Sequence, residues 1–199
     1  MKTRDNIQKL RDLAEIRIGY PFRGRIHFEP SGEIPVIQLR NFDADYQLGA
    51  STLLCVEKLP DAKRHALRAG DVLYASKGER NFAFTVSREI EGAVPASYFF
   101  VLHPRSPSVS SEYLAWYINQ PAARTFLRSQ AQRGTYMPVI PKSVFETLPV
   151  PVPPLETQRA IVALDGLQRQ EKSLSKQLEE KKSKLIASVC QRAVESGIA

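Results

Sequence analysis

Leu148-Pro-Val-Pro-Val-Pro-Pro-Leu-Glu-Thr-Gln158 divides the chain into two parts of different character. Proline fixes φ and lacks the amide proton that a helix interior requires, so residues 148–154 are expected to be extended, either as a strand or as a polyproline-like connector. From Leu155 to Val194 there is no proline and one glycine, Gly166, in a stretch rich in Leu, Glu, Lys, Gln and Ala, all strong helix formers. One long helix is expected there, about 60 Å in length at ~1.5 Å per residue. Leu164, Leu167, Leu174, Leu178 and Leu185 follow a heptad spacing, and Glu171 and Lys181 stand at two seam positions where leucine would be expected. This interrupted seam predicts a coiled coil. A narrow apolar stripe with charge on both sides suits pairing with another helix better than lying on its own domain.

All 17 aromatic residues precede residue 146. Aromatic side chains supply much of the buried area of a packed core. Residues 1–147 are therefore expected to form the globular domain, 148–154 the connector, and 155–199 a spacer and dimerisation helix. The fold class is α/β (α+β), with short mixed strands and helices before the long C-terminal helix. Ile7, Leu10, Leu13 and Ala14 have helical spacing and predict a helix over Ile7–Ile16. Ile34–Leu39, Asp71–Ala75 and Ala96–Leu102 read as strands. Ser110 or Ser111 can cap a helix running to Ile118. Pro121 can open a second one reaching Gln132, with Gly134 as its stop.

The formal net charge is +7 and the pI about 9.5. Residues 1–145 hold 20 Lys and Arg against 14 Asp and Glu, whereas the remainder is nearly balanced at 8 against 7. The positive excess thus belongs to the globular part and suggests a polyanionic partner. No apolar stretch is long enough to span a bilayer, and the charged start Met1–Asn6 lacks the apolar region of a signal peptide, so no membrane association is expected. Cys55 and Cys190 form no metal-ligand spacing or disulfide framework, which fits a reducing cytoplasm. There is no phosphate-binding P-loop, no dinucleotide fingerprint and no Asn/Asp-Pro-Pro-Tyr/Phe methyltransferase signature. His27, His65 and His103 are scattered, and Glu179-Glu-Lys-Lys182 reads as a solvated helix face. Catalytic residues, metals and cofactors are therefore not expected.

Three glycine loops carry the binding chemistry. Tyr20-Pro-Phe-Arg-Gly-Arg25 offers Arg23 and Arg25, Ser76-Lys-Gly-Glu-Arg-Asn81 offers Lys77, Arg80 and Asn81, and Gln132-Arg-Gly-Thr-Tyr136 offers Arg133, Thr135 and Tyr136. Arginine on a short turn can fork onto guanine O6 and N7 in a groove. Lys63, Arg64, His65 and Arg68 form a fourth, less distinctive patch, in which Lys63 and Arg64 suit phosphate. Each loop alone reads as an ordinary turn; several on one positive domain point to DNA.

In its order of motifs the chain closely resembles one target-recognition domain, with its following spacer helix, of the Type I restriction-modification specificity subunit. Leu10-Arg-Asp-Leu-Ala-Glu-Ile-Arg-Ile-Gly-Tyr20 is similar to the family's domain start. Gly32-Glu-Ile-Pro-Val-Ile-Gln-Leu39 resembles its first core strand. Leu67-Arg-Ala-Gly-Asp-Val-Leu-Tyr74, with Gly78 after it, resembles its Gly-Asp-Ile-Leu element, and Gly134-Thr135 through Ile140 the loop before its last strand. The Leu148–Gln158 stretch is similar to the family's proline-rich lead into the spacer helix, the most specific of the five matches. The resemblance implies a non-catalytic subunit that reads double-stranded DNA for partner methyltransferase subunits, with a restriction subunit as a further partner. The usual subunit has two recognition domains and two spacer helices. Here there is one of each, so a homodimer through the helix seam is expected to rebuild the pair. The competing expectation is a coiled-coil adaptor or competitor that binds methyltransferase subunits without reading sequence.

Overall fold

Strand β1 (Ile7–Lys9) pairs antiparallel with β9 (Pro149–Pro151), so the connector's carbonyls and the chain start form one two-stranded ribbon. In this computed structural model the described residues are 6–43, 46, 48–49, 53–78, 81–131 and 138–197. The connector is therefore a strand, and its prolines sit where strand prolines belong, in a ribbon with few ladder bonds to lose. The Pro151 and Pro149 carbonyls accept hydrogen bonds of 2.8 Å from the Tyr113 and Tyr117 hydroxyls. Burial pushes the Tyr113 hydroxyl up to about 12, which keeps it a neutral donor.

The helix expected over Ile7–Ile16 is not formed as such. Only α1 (Leu10–Leu13) is helical, and β2 (Ala14–Ile18) follows it directly. Leu10, Leu13 and Ala14 are all buried, which imitates helical spacing, but from Ala14 onward the backbone pairs residue by residue with β8, Ala14 and Ile16 facing the core and Glu15 solvent, and the strand geometry wins.

Strand β2 starts a four-stranded antiparallel sheet that also contains β5 (Val72–Ala75), β6 (Ala83–Thr85) and β8 (Phe99–Pro104), in the order β2-β8-β5-β6. A second sheet is made of β3 (Ile34–Ile37), β4 (Leu54–Val56) and β7 (Val94–Pro95), with β3 in the middle, antiparallel to β4 and parallel to β7. All four residues of β5 are buried. Leu73 and Ala75 point into a cluster with Ile37, Phe82, Phe99 and Val101, while Tyr74 on the other face stacks on Phe145 at 4.3 Å between ring centroids.

The strand expected over Ala96–Leu102 is divided by a turn at Ser97-Tyr98, which carries the chain from β7 in one sheet to β8 in the other. The strand expected over Ile34–Leu39 ends at Ile37, because the Gln38 amide donates to Asn41 Oδ1 at 2.7 Å and starts a 3-10 turn, Leu39–Asn41.

Helix α2 (Ala62–His65) is one turn long. Helix α3 (Ser111–Ile118) is capped by Ser110, whose Oγ accepts from the Tyr113 amide at 3.2 Å. At its C-terminal end Asn119 acts as a substitute strand partner. Its side chain both accepts from the Ala83 amide (2.9 Å) and donates to the Ala83 carbonyl (2.8 Å), so the open edge of β6 is satisfied. Helix α4 (Pro121–Ser129) starts with its proline as expected and ends before Gln132. Helix α5 (Lys142–Glu146) brings Phe145 under the sheet.

Helix α6 runs over Leu155–Ser196. The chain divides into two units, Met1–Gln158 and Arg159–Ala199, so the first turn of α6 belongs to the globular unit. Gln158 is fully buried there. Its Nε2 donates to the Ser108 and Pro153 carbonyls, both at 2.7 Å, and its Oε1 accepts from the Ser110 amide at 2.9 Å. One side chain thus satisfies three backbone groups at the start of α3 and of α6. Replacing it with leucine keeps the volume but leaves all three unpaired, and we expect a loss of about 3 kcal/mol in urea unfolding of the whole chain.

Candidate nucleic-acid interface

Strands β2 and β5 are both antiparallel to β8, so they run in the same direction. Ile18 and Tyr74 each lie opposite Phe100, which brings the two strands level. The two glycine loops that follow them, Tyr20–Arg25 and Ser76–Asn81, therefore leave the sheet at the same end. Residues more than fifty positions apart are brought together by register alone.

The first loop leaves β2 through Gly19, whose amide donates to the Phe99 carbonyl at 2.9 Å. Tyr20 then bridges Ala96, and its ring meets Phe22 edge-on at 4.8 Å and His65 at 5.2 Å. The loop thus lies against α2, which presents Lys63 and Arg64 to solvent. Gly24, at φ +73°, takes the left-handed conformation that glycine adopts without strain, and Arg23 and Arg25 on either side of it are exposed. The first glycine loop and the basic patch at Lys63 and Arg64 are consequently neighbours.

The second loop is held from below. The Ser76 amide and hydroxyl both donate to the Tyr98 carbonyl, at 2.9 and 3.0 Å. Lys77 forms a bridge with Val139, and the Gly78 amide donates to the Pro138 carbonyl at 3.1 Å. The segment that follows the third glycine loop is therefore the support of the second. Lys77 is half-buried, and its Nζ lies 5.3 Å from the centroid of the Tyr98 ring, a cation–π contact. Asn81 turns inward, and its Nδ2 donates to the Ala75 carbonyl at 2.8 Å. Arg80, Arg133, Thr135 and Tyr136 lie outside the described residues.

Beneath the first loop, Arg17 of β2 donates to the His65 carbonyl at 3.0 Å and to the Ala66 carbonyl at 2.8 Å, and approaches Asp71 at 3.8 Å. Asp71 is buried; it accepts from the Arg68 amide at 3.0 Å and lies 2.8 Å from His103 Nδ1. Burial pulls the Arg17 guanidinium below its ordinary value, and the Asp71 carboxylate pulls the other way. Burial, and then the Arg17 charge, also lower His65. Arg17 fastens α2 to the sheet and so positions Lys63 and Arg64. His103 serves the same node.

Two residues at this end were not singled out by the sequence. Tyr98 is 43% exposed beside Lys77. In the run Ser97-Tyr-Phe-Phe100 nothing local separates it from the core aromatics that follow. Arg17 reads in sequence as one more basic residue, and its support of α2 depends on a partner 48 residues away.

The seam leucines of α6 are all exposed, from 54% at Leu178 to 69% at Leu164. Leu167, Glu171, Leu174 and Leu178 line one shallow groove along the helix. Among the described residues no group of three His, Cys, Asp or Glu side chains is placed to hold a metal ion, and no helix is long and apolar enough to cross a membrane.

A family model described as the Type I restriction modification DNA specificity domain matches residues 6–184. No curated protein matches the chain. Among solved structures, the HsdS subunit from Thermoanaerobacter tengcongensis is similar at 22% identity and a TM-score of 0.60, over 85% of this chain and 38% of its own. The S subunit of a Type I restriction-modification system from M. genitalium is similar at 13% identity and a TM-score of 0.56, over 85% of this chain and 41% of its own. A chain from a study of complex assembly and conformational transition in the type I R-M system matches at 20% identity and a TM-score of 0.63, over 90% of this chain and 42% of its own. The chain thus spans about two fifths of the length of the solved relatives it matches, and the likeness is one of fold.

Proposed function

The chain belongs to the family of Type I restriction modification DNA specificity domains, and from this premise we propose that it reads sequence for a Type I restriction-modification complex. In this reading residues 1–147 are the target-recognition domain, residues 148–154 the connector, and residues 155–199 the spacer helix. Two copies pair through Leu164, Leu167, Leu174, Leu178 and Leu185 with their helices antiparallel, so that each domain reads one half of a bipartite site. Methyltransferase subunits, and a restriction subunit where the system cleaves, join this pair in the cytoplasm. Methyl transfer belongs to those partners, and this chain contributes recognition without catalysis.

The observation that carries the reading is the convergence of the first two glycine loops at one end of the four-stranded sheet, on the part of the chain that holds the positive excess. Arg23, Arg25 and Lys77 are the proposed contacts there, with Asn81 shaping its loop; Arg80, Arg133, Thr135 and Tyr136, outside the described residues, are proposed contacts on their sequence alone. Lys63 and Arg64 are exposed on a single helical turn with no loop to aim them, which suits phosphate.

The test is a titration of the assembled methyltransferase complex over randomised half-sites at several salt concentrations. Lys63→Ala and Arg64→Ala should weaken all sequences alike, each lowering the salt slope by about one unit. Arg80→Ala or Arg133→Ala should cost roughly 1–3 kcal/mol and relax one position of the half-site. A wild-type complex with no sequence preference would make the chain a coiled-coil adaptor instead.

A further inference from the structure

The apolar seam of α6 carries a charge at two positions, and those positions answer one another. Its members are Leu164, Leu167, Glu171, Leu174, Leu178, Lys181, Leu185 and Ser188, at spacings of 3, 4, 3, 4, 3, 4 and 3 residues. The series reads the same from either end, with its centre at Lys176. Glu171 shares the groove of Leu167, Leu174 and Leu178, and Lys181 lies one turn from both Leu178 and Leu185 on the same face. Both charged residues are exposed, as are the leucines around them.

Resting on the proposed pairing of two copies, we infer that α6 meets α6 of a second copy in a single register. The two-fold axis passes at Lys176, and Glu171 forms an ion pair with the partner's Lys181 in each of two symmetry-related layers. In this register Leu174 meets the partner's Leu178, and Leu167 meets the partner's Leu185. Leu164 meets the partner's Ser188, a weaker end layer. Every apolar layer of the central section is leucine on leucine, and every charged layer is acid on base.

The alternatives fail on the same residues. A parallel pair in register would stack Glu171 on Glu171 and Lys181 on Lys181. An antiparallel shift of one heptad in one direction sets Glu171 against Leu174 and Lys181 against Leu164. The shift in the other direction sets Lys181 against Leu178 and Glu171 against Ser188. Each shift buries the Lys181 charge, and the first shift also the Glu171 charge, against a leucine that cannot pair with it. The flanking positions permit the chosen register, since Gln168 faces Lys182, Gln170 faces Lys184, and Ser175 and Gln177 face their own copies. No like charges oppose one another there. Polar seam residues of this kind set register and partner at some cost in affinity. They select a second copy of this chain over a helix whose seam is leucine throughout.

The experiment uses the full chain and two single charge reversals, Glu171→Lys and Lys181→Glu. Both sites are on the helix surface, so circular dichroism should show unchanged helicity in either variant. Each variant alone should self-associate about a hundredfold more weakly than wild type in sedimentation equilibrium, tenfold for each of two like-charged layers. An equimolar mixture of the two should recover wild-type affinity as a heterodimer, seen by native mass spectrometry. The double variant E171K/K181E should recover it as a homodimer. If the single variants dimerise as wild type does, or if neither the mixture nor the double variant recovers, the register is wrong while the pairing stands. If wild type itself is monomeric at high concentration, the pairing is wrong and the register falls with it.

Discussion

Gly19→Ala should cost about 4 kcal/mol of stability and leave little folded protein at physiological temperature. A Cβ at this position would lie 2.2 Å from the Ala96 carbonyl oxygen and 2.6 Å from that of Pro95, and both obstacles are backbone. The neighbours cannot yield by a rotamer change. The strand would have to withdraw from the β7–β8 segment, with loss of the Gly19 amide bond to Phe99 (2.9 Å) and of the Tyr20 amide bond to Pro95 (2.7 Å). These bonds also start the loop that carries Arg23 and Arg25, so on the proposed reading any folded fraction should bind DNA weakly. Urea unfolding measures the first effect. Wild-type stability in this variant would show that the two segments are farther apart than the structure places them.

Leu174→Asp combined with Leu178→Asp should abolish the proposed dimer while the globular unit remains folded. In the inferred register these residues meet one another twice, once on each side of the axis, so two changes place four carboxylates in one buried section. Paired leucines would be replaced by uncompensated like charge, a cost of several kcal/mol that exceeds what the remaining leucine layers supply. Both residues are more than half exposed in the chain by itself, so no intramolecular packing is lost. Light scattering should report a monomer and near-ultraviolet circular dichroism an unaltered aromatic core. A dimer that persists in the variant would place its interface somewhere other than this seam.

The features legible in sequence were those decided by near neighbours. The long helix followed from composition and lack of proline, and it runs over Leu155–Ser196 against an expectation of Leu155–Val194. Ser110 caps α3 and Pro121 opens α4, because caps and first turns are local chemistry. Strands of three residues such as β4 and β6 carry too short a pattern to separate from loop. Their existence is decided by partners, β3 for one, and β5 with Asn119 for the other. The division of Ala96–Leu102 is equally remote in origin, since Val94 pairs with Val36 and Phe99 with Ala75 in different sheets.

For the proposed interface, the glycine loops were visible as composition, but the shared position of the first two was not. It depends on Ile18 and Tyr74 both meeting Phe100, a register that only the folded sheet reveals. Asn81 and Tyr98 exchange the roles their sequence contexts suggest. The asparagine on the basic loop bonds inward to Ala75, and the aromatic in an apolar run faces solvent.

The ribbon of β1 and β9 has a consequence for how such a domain changes over time. Asn6 and Val152 are joined by two hydrogen bonds, the Val152 amide to the Asn6 carbonyl at 2.8 Å and the Asn6 side chain to the Val152 carbonyl at 2.9 Å. The polypeptide therefore comes in and goes out through one doorway, and every residue proposed to contact DNA lies between. A segment bounded in this way behaves as a cassette. Recombination at the two sides of the doorway would exchange the whole proposed reading head in one event and keep the downstream helix, provided the incoming segment offers Gln158 the backbone groups that Ser108 and Ser110 present here. On the proposed reading, new specificity is then acquired by transplantation, without the slow route through partly functional intermediates.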